Sequence, residues 1–89
     1  MDSIMQTKKE CYITGSRIQL DKHHCLHGTA NRKIADNYGL WVWLRHDVHM
    51  RLHDSDKALD RELEKEAQIA FEKKYSREKF IELFGRSYL

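Results

Sequence analysis

The sequence predicts an α+β fold. Three observations carry that reading: a strong strand signal at residues 40–44, extended stretches before it, and a long charged helix after it. Leu40, Trp41, Val42, Trp43 and Leu44 are aliphatic or aromatic, which suits a strand that is apolar on both faces. Residues 57–74 place Leu59, Leu63, Ala67, Ala70 and Phe71 at helical spacing, the stripe of an amphipathic helix that packs on the strands.

The bulk properties set limits. At 89 residues one domain is expected, and a chain this short buries a modest share of its surface, so a metal or a partner subunit would help stabilise it. An apolar fraction of 40%, with 34% charged residues and no proline, describes a globular, helix-rich chain rather than a disordered one. No apolar run reaches the length of a membrane span, and Met1 to Met5 lack the features of a secretory signal, so the cytoplasm is the expected location. There Cys11 and Cys25 are expected as thiols, Cys25 as a small buried residue; a single disulfide between them is the alternative in an oxidising compartment. The net charge of +2 is spread evenly, with eight basic and seven acidic residues both in 1–56 and in 57–89. Any phosphate contact must therefore come from local grouping.

Taken in order, residues 1–10 are polar and uninformative. Residues 11–14 read as a short strand, Gly15 and Ser16 as a turn, and residues 17–20 as a second extended piece, which together make a small hairpin. Residues 23–26 continue extended, so the adjacent His23 and His24 point to opposite faces and are free to do different jobs. A loop around Gly28 follows, then a helical turn within residues 31–38 that Gly39 stops. Both tryptophans of the next strand lie on one face; core packing is expected for them, with base stacking as the alternative. A short helix over residues 45–53 puts His49 and His53 one turn apart. Asp54, Ser55 and Asp56 offer capping oxygens to the long helix, and Ser76 starts a last helix with Phe80, Ile81 and Phe84 that ends at Gly85.

All six histidines fall between His23 and His53. Neutral imidazole is the commonest protein ligand for transition metals and the side chain best suited to move protons near neutral pH. A metal site, a proton-transfer site or both are therefore expected, with His27 and His46 as surface residues and His46 as a possible substitute ligand. Arg32 and Lys33 beside this centre are the best candidate phosphate contacts.

A strand with a histidine pair, a loop, a second strand and a helix with His49 and His53 resembles the ββα-metal core of the HNH endonuclease superfamily. The likeness extends to Cys11 and Tyr12, to Ala30 through Lys33, to Tyr38, Gly39 and Leu40, to Leu59, Leu63 and Gln68, and to the ending from Phe84 to Leu89. In these features the chain is similar to small phage HNH nucleases akin to those that enhance recombination together with a host recombinase. The resemblance implies a ββα-metal core over residues 11–53 and a helical extension over 54–89, with one long and one short helix. It makes His23, His49 and His53 ligands of one divalent ion (Mg, Mn, Zn or Ni), His24 the general base and Asn31 the motif asparagine. DNA is the implied partner, with a host recombinase or another phage or host protein beside it, in the host cytoplasm.

The chain also departs from the pattern. Thr14 and Arg45 stand where zinc-knuckle cysteines occur in relatives, so no structural zinc is expected. The usual place of the asparagine falls near Gly39 or Leu40, so that Asn31 or Asn37 must reach in from the loop. A metal-dependent DNA endonuclease is the first expectation. A weak or inactive HNH-like module that binds DNA or a protein is the second, and a helical interaction protein that pairs with its own copy is the third.

Overall fold

A computed structural model describes residues 1–89. Four helices accompany a two-stranded antiparallel sheet, in the order β1 (Leu20–His24), α1 (Thr29–Tyr38), β2 (Trp41–Arg45), α2 (His46–Asp54), α3 (Lys57–Glu72) and α4 (Arg77–Phe84). The last two helices are the long and the short one that the apolar spacing requires.

The register of the sheet decides where each histidine points. Lys22 pairs with Trp43, His23 with Val42 and His24 with Trp41, and residues directly opposite in an antiparallel pair share a face. His23 therefore lies on the inner face with Val42 and Leu44, both fully buried. His24 lies on the outer face with the tryptophans.

The expected hairpin over residues 11–20 is not formed. Cys11 is buried and Tyr12 N–H donates to the Trp43 carbonyl at 2.8 Å, but residues 12–14 turn back, and Cys11 N–H donates to the Ser16 carbonyl at 2.7 Å. Ile13 and Ile18 stay 46% and 67% exposed, so a strand here has no apolar face to bury. The free edge of β2 is instead occupied by the first residues of the chain. Ser3 Oγ donates to the Trp41 carbonyl at 2.5 Å, and Trp43 N–H donates to Gln6 Oε1 at 2.6 Å.

Helix α1 is ten residues long rather than a single turn. Gly28, with φ +97°, turns the chain into it, and Arg32 N–H donates to the Gly28 carbonyl at 2.8 Å. Buried Ala35, with Ile34 and Tyr38 packed against the core, supplies the stripe that carries the helix on. Gly39 ends it in the left-handed region (φ +72°), where a Cβ would collide with the Asp2 carbonyl oxygen. Strand β2 thus starts against the N-terminal segment.

The core lies between the inner face of the sheet and the helices. Leu63, Ala67 and Phe71 of α3 are fully buried, while Leu59 packs at its edge. Phe71 meets Phe80 at 5.4 Å and Tyr38 at 5.5 Å between ring centres. Gln68 is fully buried yet satisfied: its Nε2 donates to Glu72 Oε2 and Ser87 Oγ, and its Oε1 accepts from Tyr88 N–H. Asp56 and Ser76 accept from Leu59 and Lys79 N–H as N-caps of α3 and α4, and Gly85 ends α4 in a left-handed turn. Cys11 and Cys25 are buried free thiols. The tryptophans sit on the opposite side from this core: Trp41 is buried beneath the N-terminal segment, and Trp43 is half-buried. No helix is long and apolar enough to cross a membrane.

Candidate metal centre

Three imidazoles converge where β1, β2 and α2 meet. His23 enters from the inner face of β1, only 2% exposed, and its Nε2 is buried without any hydrogen-bond partner. An orphan polar atom in that position is costly unless something binds it. Helix α2 starts directly after β2 and carries His49 and His53 back over the same spot, with ring centres 5.2 and 5.7 Å from His23. One ligand atom from each of the three lies within 4.8 Å of the others. The Nε2 atoms of His49 and His53 are 3.1 Å apart, and two imidazoles on one tetrahedral ion with bonds of about 2.0–2.1 Å hold their nitrogens roughly 3.3 Å apart. Three histidines therefore lie close enough to hold one metal ion.

Asp21 orients this group. It precedes His23 by two residues and shares its face, and its Oδ2 accepts from Nδ1 of His49 at 3.0 Å and of His46 at 2.8 Å. With Nδ1–H of His49 committed to the carboxylate, the Nε2 lone pair is left to face the cluster, the usual support for a metal-bound histidine. Those two hydrogen bonds, His49 first, hold the Asp21 carboxyl below the usual carboxylate range. His46 is thereby fixed outside the cluster, so the substitute-ligand role expected of it finds no support in this geometry.

His27 is at the surface, as the sequence suggested, but beside the cluster. The loop after β1 folds back so that its ring lies 5.9 Å from that of His23 and 6.2 Å from that of His53. Asp60, in the first turn of α3, holds its Nε2 at 2.6 Å. His27 thus borders the same cleft of about 300 Å³ as His23, His49 and His53.

His24, Arg32 and Lys22 also line that cleft. Asp36 on α1 sits 3.2 Å from His24 Nε2 and also accepts from Lys22 Nζ at 2.5 Å. Lys33 lies in an adjoining shallow groove with His24, Arg32 and Asp36. Asn31 is in the first turn of α1 and borders neither the cleft nor the groove. Asp21, Asp36 and Asp60 carry out orienting roles that the sequence reading did not assign. Only Asp21 left a local signal, its two-residue offset from His23.

Burial, reinforced by His49, His27 and His53 around it, pushes the His23 pKa down to about 3, and burial lowers that of His53 as well. The His23 ring is thus held as a neutral donor. The metal-free protein is expected to lose stability in acid, because the unfolded chain protonates His23 near its ordinary pKa of about 6.5 while the folded chain keeps it neutral down to about 3. The unfolded state then binds more protons, so the stability present above that value is lost as pH falls toward about 3. For His23 the loss between pH 7 and pH 4 is roughly 3 kcal/mol. Urea unfolding of chelator-treated protein at the two pH values measures it, and equal midpoints would contradict the burial of a neutral His23.

Compared with family models, curated proteins and solved structures, the chain matches none.

Proposed function

We propose that this protein is a divalent-metal-dependent nuclease that hydrolyses phosphodiester bonds in DNA, with β1, β2 and α2 forming an HNH-like ββα-metal core. One observation carries most of the weight: the unpartnered, buried Nε2 of His23 facing the paired His49 and His53. A cation held by these three residues would supply charge stabilisation for the phosphate in the transition state. Three neutral imidazoles suit zinc or nickel as donors, while magnesium and manganese prefer oxygen.

The remaining roles follow from the chain's own groups. His24 donates its Nε2 proton to Asp36, which leaves Nδ1 as the acceptor for a proton from the attacking water, the arrangement of a positioned general base. Arg32 on the rim and Lys33 beside it attract and orient the phosphates. The second reading, a binding module with little or no turnover, is favoured by one observation: Asn31 does not line the cleft.

Supercoiled plasmid, linear duplex and single-stranded DNA incubated with the protein and Zn, Ni, Mn or Mg separate the two readings. Cleavage with at least one ion, abolished by EDTA and restored by excess metal, is expected. Absence of metal-dependent cleavage on every DNA form gives the protein to the binding reading.

A further inference from the structure

We infer that the outer face of the sheet is a binding groove for single-stranded nucleic acid, formed by Trp41, Trp43, Lys8 and Lys9 and opening toward His24. The groove encloses about 480 Å³ between the N-terminal segment and β2, with Asp2 as its one carboxylate. Lys9 Nζ stands 4.8 Å over the Trp43 ring, and Lys22 Nζ stands 4.3 Å over the Trp41 ring. These cations occupy the aromatic faces on which bases stack. A nucleotide strand can exchange the Lys9 contact, its base taking the half-buried Trp43 face and its phosphate the released ammonium, while Trp41 stays buried and Lys22 stays held by Asp36.

The same sheet face connects the groove to the histidine cleft. His24 is the cross-strand partner of Trp41, and Lys22 is that of Trp43, so their side chains neighbour each other directly. Lys22 touches Trp41 and also borders the cleft. A strand with a base on Trp43 therefore has its backbone led past Lys22 toward His24. Calling this the substrate's path rests on the nuclease reading, whereas binding in the groove does not.

Other occupants fit less well. A peptide adding a β-strand needs the free edge of β2, and Ser3, Gln6 and Tyr12 already occupy it. An apolar peptide finds only the two tryptophans as hydrophobic lining. A duplex keeps its bases stacked on one another and cannot offer one to Trp43.

The test measures binding of fluorescein-labelled oligothymidylate and oligouridylate in EDTA, so that it reports the groove whatever the fate of the metal reading. The two tryptophans are the only ones in the chain, and their emission is expected to be quenched as the unlabelled strand binds. Trp43→Leu should weaken binding roughly 5- to 150-fold, the range of one lost stacking contact. Lys8→Ala with Lys9→Ala, both at exposed positions, should lower the slope of log affinity against log salt by about 1.4, at about 0.7 for each phosphate contact to a single strand. Binding of either sugar type with these responses supports the groove. The inference is overturned if the parent binds no single strand, if duplex or polyglutamate binds as tightly, or if both variants bind like the parent.

Discussion

His24→Ala is expected to retain the fold, the metal affinity and the affinity for DNA, yet to lose phosphodiester hydrolysis by roughly 10²- to 10⁴-fold, the usual contribution of a positioned general base. The separation of effects comes from the pleat of β1. His23 points inward to the cluster, where it is 2% exposed, while His24 points to the outer face and meets Asp36. Removing His24 therefore leaves the three converging imidazoles untouched. His23→Ala should instead lose metal and activity together. The rate of the parent should also fall in acid, because a protonated imidazole cannot take a proton from water. Single-turnover cleavage with the ion that supports nicking measures the loss, and calorimetry measures the metal. Cleavage by His24→Ala at the parental rate would remove His24 from the mechanism.

His49→Ala and His53→Ala should each weaken metal binding by more than 100-fold, with the parent titrating about one ion per chain. The two residues are one helical turn apart, and their Nε2 atoms lie 3.1 Å from each other. Removing either leaves an ion with two of the three imidazoles. Asp21→Asn tests the layer behind them. It keeps the size of the side chain but loses the charge that accepts from His49 Nδ1, and a loss of about 10- to 100-fold is expected. Isothermal titration with zinc and nickel checks all three, and parental affinity in both alanine variants would mean that the cluster holds no ion.

Much of the fold was legible because its signals are local. The spacing of Leu63, Ala67 and Phe71 marks a helix face whatever that face packs on, and all three are fully buried. Ser76 and Gly85 bound α4 through cap geometry that needs only neighbouring residues. The false hairpin shows where this fails. Residues 11–14 have strand-like side chains, but Tyr12 bonds to Trp43 of β2 beside Ser3 and Gln6 instead of pairing with residues 17–20, a long-range choice that no local window contains.

The candidate site divides along the same line. By itself the sequence determined the clustering of six histidines, the one-turn spacing of His49 and His53, and the opposite facing of His23 and His24. All of these follow from the fixed periods of helix and strand. Only the tertiary structure decided that Asp21 holds His49 across 28 residues, that Asp60 holds His27 across 33, and that the tryptophans face away from the core. Those outcomes depend on strand register and helix docking, which are set by the burial of the whole core, since a one-residue change of register would reverse every side chain on β1.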